Sequence, residues 1–207
     1  TSYKKLTPAA GHQSAEIIHN HGSRFIDATQ MKLYTDVLCA DLKFDPDSSD
    51  KFEAAINDLA WFLGITGQRP EKDYKEGPDN LWAFPNGSFL IIECKNGITS
   101  EKGISKKDAG QLGQSMAWFS GRYPASGSIP IIIHPHNFLG QGASLVAGMR
   151  VINEKCLDKL RSNLKNFAKQ LVDPNVSGNI SEISARLSQF ELNLEAFVNG
   201  FTIKVNN

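Results

Sequence analysis

The sequence predicts an α/β domain of the α+β layered kind, a small mixed β-sheet flanked by helices with a helical segment ahead of it. Two runs of strand character, residues 79–84 and 88–95, stand on either side of Pro85-Asn86-Gly87 and read as a hairpin. The second run is apolar on both faces, Phe89 and Ile91 against Leu90 and Ile92, as expected of a central strand covered on both sides. Segments of helical periodicity lie before and after it. Helix, hairpin, helix, strand, helix is the order of a layered domain.

Residues 13–42 have helical character, with Phe25, Ile26, Met31, Leu33, Val37 and Leu38 as their apolar material. Asp45-Pro46-Asp47 and two serines break the chain over 43–49. Over 50–63, Phe52, Ile56, Leu59 and Leu63 recur at helical spacing, and Gly64 supplies a stop. Residues 65–77 are polar and turn-rich. After the hairpin, a loop rich in Gly, Lys and Ser over 96–107 leads to a helix at 108–119. A buried type of strand over 129–133 is closed by His134-Pro135. Leu157, Leu160, Leu164, Phe167 and Leu171 mark one amphipathic helix, and Ile183, Leu187, Phe190, Leu194 and Phe197 another. Residues 201–205 suit a short last strand. The expected division is an N-terminal helical extension over 1–45 and one domain over 46–207.

A chain of 207 residues holds one full hydrophobic core. Its 41% apolar and 21% charged content is that of a globular domain, neither disordered nor membrane-embedded. No apolar run approaches the roughly 20 residues that span a bilayer, and no segment reads as a signal peptide. The chain begins at Thr1 rather than Met, which suits a piece excised from something longer. Cys39, Cys94 and Cys156 are odd in number and widely spaced, fitting neither a disulfide framework nor a CxxC zinc site. A reducing cytoplasm is the expected home. Formal net charge is zero. A protein that grips DNA alone usually carries a basic excess, because phosphate neutralisation dominates affinity. Contact with nucleic acid therefore requires a local basic patch or delivery by a tethered partner.

The chemistry concentrates on the hairpin. Glu93 and Lys95 are two apart, so on a strand they project from one face. Whether Asp79 joins them depends on the turn. A two-residue Asn86-Gly87 loop would set Asp79 opposite Cys94, on the wrong face. A three-residue Pro85-Asn86-Gly87 loop pairs Phe84 with Ser88 and brings Asp79 opposite Glu93. Pro first, Asn second and Gly in the left-handed position suit a type I turn with a G1 bulge, which favours the second register. Directly opposed carboxylates repel, and a bound cation is the natural explanation. Phosphodiester hydrolysis needs a divalent cation that neutralises phosphate and lowers the pKa of the attacking water. Mg²⁺ takes one or two carboxylates while keeping several waters, and a lysine can stabilise the developing charge.

Pro78-Asp79 followed by Glu93-Cys94-Lys95, at the end of an apolar strand after a hairpin, resembles the PD-(D/E)xK, or restriction-endonuclease-like, nuclease superfamily. The resemblance covers roughly residues 50–135 and identifies no subfamily. It implies a Mg²⁺ site, with Mn²⁺ as a substitute, formed by Asp79, Glu93 and the Cys94 backbone carbonyl. Lys95 would act on the scissile phosphate. Glu53, on the helix before the hairpin, would bind metal directly or through water, and Gln111, on the helix after it, would join the catalytic set. The implied activity is that of a deoxyribonuclease, with DNA as partner and endonucleolytic cleavage expected. Such domains are often tethered to helicases or other ATPases in defence, restriction or repair assemblies, and a homodimer is compatible with the pattern. No GxxxxGK[ST] phosphate loop is present in this chain.

Each residue also has a plainer reading. Asp79 suits a strand start after Gly77-Pro78. Glu93 and Lys95 suit a structural ion pair, and Cys94 a small core hydrophobe on the other face. Asp50-Lys51-Phe52-Glu53 suits a capping box. Gln111, Gln114, Ser115 and Trp118 share a helix face that solvent alone would explain. Lys102, Lys106 and Lys107 are candidates for contact with a nucleic-acid backbone, or are merely exposed. Trp61, Trp82 and Trp118 suit base stacking or, more commonly, packing. His19-Asn20-His21 is not the dispersed motif of HNH nucleases, and His134 with His136 reads as a strand-end loop rather than a metal pair.

Overall fold

The computed structural model describes residues 2–206. In chain order the elements are α1 (Gln13–Arg24), α2 (Ala28–Asp41), α3 (Ser49–Phe62), β1 (Thr66–Gln68), α4 (Pro70–Tyr74), β2 (Asn80–Ala83) and β3 (Phe89–Cys94). There follow α5 (Lys106–Arg122), β4 (Ser128–Ile133), β5 (Arg150–Ile152), α6 (Glu154–Leu171), α7 (Ile180–Gln189), α8 (Leu194–Phe201) and β6 (Ile203–Lys204). The fold is α+β, one six-stranded mixed sheet flanked by helices.

The sheet order is β1-β2-β3-β4-β5-β6. β1, β2 and β3 pair antiparallel, β3, β4 and β5 pair parallel, and β6 returns antiparallel to β5. β3 is buried along its whole length, as a central strand with helices on both faces requires. Pro130 lies within β4, yet β5 pairs with β4 only from Ile131 onward. The missing N–H therefore falls where the strand is not yet flanked on both sides.

The two faces of the sheet differ. One carries Trp82, Phe84, Leu90, Ile92, Cys94, Ile131, Ile133 and Ile152 into the main core, with residues of α1, α2, α3, α6, α7 and α8. The other is covered by α5 and holds two separate apolar clusters. Leu81, Ala83, Phe89 and Ile91 meet Phe119 and Tyr123 in the first. Ile132 and Val151 meet Ile104, Ala109, Leu112 and Met149 in the second. The gap between them is polar, and it is where the candidate site lies.

Several elements differ from the sequence expectation. The helical stretch 13–42 is two helices, because Asp27 caps α2 with a 2.9 Å bond from the Gln30 N–H. Its residues Ile17, Met31, Leu38, Cys39 and Leu42 enter the same core as residues of α3, α6 and the sheet. The expected helix through Ile183 and Phe197 is also two, interrupted where Glu191 adopts φ +59° and Asn193 caps α8. β1, α4 and β5 are short elements in stretches read as turns or left unassigned. No helix among the described residues is long and apolar enough to cross a membrane.

Candidate active site

The hairpin takes the three-residue form. Phe84 N–H donates to the Ser88 carbonyl at 2.9 Å, Gly87 N–H donates to the Phe84 carbonyl at 2.9 Å, and Gly87 has φ +85°. Pairing of Ala83 with Phe89 and of Asn80 with Ile92 continues to Asp79 opposite Glu93. The turn residues therefore fix which face the carboxylates share. Asn80, one residue on, points to the opposite face. There its side-chain amide donates to the Glu53 carbonyl at 3.0 Å and its oxygen accepts from Cys94 Sγ at 3.5 Å.

Asp79, Glu93 and Lys95 open into one cavity of about 300 Å³. Helix α5 contributes Gln111, Gln114, Ser115 and Trp118 to its lining, and the segment after β1 contributes Glu71 and Gly77. Asp79 Oδ2 accepts the Cys94 N–H at 2.7 Å, which anchors the carboxylate across the ladder. Glu93 is 5% exposed, and its Oε1 accepts from the Ser115 hydroxyl at 2.5 Å. Burial first, then the charge of Asp79, push the Glu93 carboxyl up to about 8. The opposed pair therefore holds a proton more tightly than two free carboxylates would, and a cation bound between them would take its place. Lys95 Nζ donates to Gln111 Oε1 at 2.6 Å and lies 3.8 Å from Asp108 Oδ1. Gln111 thus orients the lysine.

Two oxygen ligands on facing strands suit a hard divalent cation. Among the described residues no group of three or more His, Cys, Asp or Glu is arranged to hold a metal ion. The pair alone corresponds to the one or two carboxylates that Mg²⁺ takes from a protein while keeping its waters.

Other candidates fall elsewhere. Glu53 lies on α3, behind the sheet as seen from α5, and its Oε2 accepts from Arg69 at 2.8 Å. Its pKa is raised, first by burial, and Asp79 contributes. It does not line the cavity. The capping-box geometry is also absent, because the helix begins at Ser49 and Asp50 pairs with Arg69 and Lys72. The Cys94 side chain is buried in the main core. Lys102, Lys106 and Lys107 are exposed near the start of α5, and Lys107 stands one turn before Gln111 on the same helix side. Trp82 is 1% exposed in the core, and Trp61 packs among His21, Phe25 and Tyr34. Trp118 lines the cavity, but a Cβ at Gly77 would stand 2.9 Å from its indole, so the ring is closed in by its own chain.

His134 is fully buried where β4 ends, and burial pulls its imidazole down to about 4. Its Nδ1 accepts the His136 N–H at 2.9 Å and its Nε2 has no partner within the protein. Ser115, Asp108 and Glu71 are the residues that sequence reasoning underrated. Ser115 had a signal. It occupies the core-facing row of α5 between Leu112 and Phe119, where an apolar residue is expected. Compared with models of protein families, with curated proteins and with solved structures, the chain matches none.

Proposed function

We propose that the chain is a Mg²⁺-dependent nuclease hydrolysing phosphodiester bonds in DNA, with Mn²⁺ able to substitute. It would work in the cytoplasm as one domain or subunit of a larger defence, restriction or repair assembly. The observation that carries this reading is the convergence of Asp79, Glu93 and Lys95 on one cavity through the bulged hairpin. When bound, the cation would supply a water of lowered pKa and neutralise phosphate charge. Asp79 and Glu93 would hold it, Asp79 already fixed by the Cys94 N–H. Lys95, oriented by Gln111, would face the phosphate and stabilise charge developing on its oxygens. The exposed Lys107, and more distantly Lys102 and Lys106, would meet the substrate backbone.

The test is incubation with labelled single- and double-stranded DNA and RNA in Mg²⁺, Mn²⁺ or EDTA. Cleavage should require the metal and vanish in Glu93→Ala and Lys95→Ala variants that retain the wild-type circular-dichroism spectrum. Both variants cutting at the wild-type rate would refute the assignment.

A formal net charge of zero favours a second reading, a nuclease-like fold without activity that serves as an interaction module. Titration with Mn²⁺ separates the two, since such a module has no need to bind the ion at millimolar concentration.

A further inference from the structure

The segment ahead of α1 reaches the cavity wall from outside. Leu6 N–H donates to the Tyr123 hydroxyl at 2.8 Å, and the Tyr123 and Tyr3 hydroxyls meet at 2.5 Å. The Tyr3 hydroxyl donates in turn to Gln68 Oε1 at 2.8 Å, and the Gln68 amide donates back to the Lys4 carbonyl at 2.9 Å. The series of donors begins and ends on the same short segment, at Leu6 and Lys4, and adjoining bonds polarise one another. The Tyr3 ring is edge-on to Tyr74 at 5.1 Å and to Trp118 at 4.9 Å, with the Arg122 guanidinium 5.0 Å from its centre. Burial raises the Tyr3 pKa above the ordinary phenol value, so the group stays a neutral hydroxyl and keeps its donor.

Tyr74 ends α4, which carries Glu71, and Trp118 lies on α5; Glu71 and Trp118 both line the cavity. The α4 wall is tied to α3 at its start by Arg69 and by the exposed Lys72–Asp50 pair, and has little else to hold it. It has five residues, of which Pro70 alone is buried, and a helix that short has no stability of its own. Its link to the hairpin is the Glu71 N–H to the Pro78 carbonyl, at 3.1 Å. Its place therefore depends on what packs against its outer side.

We propose that Tyr3 is a positioning residue for the cavity: by bridging Tyr74 and Trp118 it holds the wall bearing Glu71 and Gly77 over Asp79 and Glu93. The effect on cleavage rests on the nuclease reading, whereas the effect on the wall rests on the fold alone. Two readouts on Tyr3→Ala and Tyr3→Phe keep these apart.

The first readout is amide hydrogen exchange. Tyr3→Ala should speed exchange at Glu71, Asp73 and Lys75 by about tenfold while β3 amides keep their protection, as local opening requires. The second is single-turnover cleavage of DNA in Mg²⁺. Tyr3→Ala should lower the rate about tenfold without changing DNA affinity, the usual result of a small misplacement at a reacting site. Tyr3→Phe keeps both ring contacts and should recover most of that rate. Unchanged exchange in residues 69–78, or a rise shared equally by the whole chain, would overturn the proposal. So would faster exchange with an unchanged cleavage rate, or a phenylalanine variant as slow as the alanine one. A wild-type protein that cuts nothing would sink the nuclease reading, and the exchange result would then decide the role of Tyr3.

Discussion

Replacing Glu93 by Gln tests the electrostatics of the cavity without any substrate. Glutamine keeps the shape of the side chain, an oxygen to accept from Ser115 and an N–H to offer Asp79, but it holds no titratable proton. In the wild type, burial and the Asp79 charge raise Glu93 from an ordinary value of 4.5 to about 8. A folded-state pKa above the unfolded one means that the folded protein binds the proton more tightly. That stability is fully present below about pH 4.5 and is lost as the pH rises through about 8. Each pH unit in which only the unfolded chain has released the proton costs the fold about 1.4 kcal/mol. The regime runs from about pH 5 to pH 7.5, which gives roughly 3 kcal/mol. Urea unfolding in EDTA should therefore show wild type and Glu93→Gln close together at pH 5. At pH 8 the variant should be the more stable, by roughly that amount. Parallel curves, or a variant less stable than the wild type at pH 8, would refute the reasoning, because Glu93 would then be ionised in the folded state at no cost.

Two further outcomes follow from the geometry around the hairpin. Gly87 has φ +85° and open space where a Cβ would stand, so Gly87→Ala carries only the backbone penalty of the left-handed region. It should lower stability by about 1 kcal/mol, read as a drop of a few degrees in Tm, with metal-dependent cleavage preserved. Loss of cleavage in a folded Gly87→Ala protein would show that the turn does more than set the register. Glu53→Gln removes a charge that Arg69 engages behind the sheet. Calorimetric titration should find Mn²⁺ affinity within about threefold of wild type, whereas loss of a true ligand or its supporting partner costs about 10- to 100-fold. A fall of the larger size would place Glu53 in the metal site after all.

The parts of this molecule that sequence made legible are those determined by neighbours a few residues away. Pro85, Asn86 and Gly87 dictate a turn type, the turn dictates a register, and the register decides that Asp79 faces Glu93 rather than Cys94. Alternation along β3 assigns Cys94 to the main core and Glu93 to the α5 side for the same reason. What stayed hidden depends on distant partners. Arg69 follows a three-residue edge strand without a period of its own, and only the fold brings it to Glu53. Glu71 sits on one turn and a half of helix that meets the Pro78 carbonyl, Asp50 of α3 and the Tyr3 ring, partners distant in the chain. Ser115 was visible as a letter, but its burial follows from α5 spanning two clusters separated by a polar gap. The break between α7 and α8 falls inside an unbroken apolar period. Glu191 there takes a left-handed conformation, and its carboxylate lies within 3.1 Å of where a Cβ on Gly200 would stand.

The division of labour between the two faces explains why such a site is tolerated. An opposed pair of carboxylates in mid-sheet removes apolar continuity from the α5 face, leaving two small clusters in place of one. The other face carries the large aromatic residues Phe52, Phe62, Trp82, Phe167, Phe197 and Phe201 in one core that does not pass through the site. Stability is therefore concentrated where no chemistry is proposed, and the strain of the paired acids falls on strands anchored from behind. The same asymmetry leaves the cavity's outer wall without a core of its own, held by Tyr3, Tyr74, Trp118 and the Arg122–Glu76 pair. Perturbations should accordingly separate into two kinds. Those that relieve the carboxylates raise global stability, and those that loosen the wall change local exchange around Glu71 while the midpoint of unfolding barely moves.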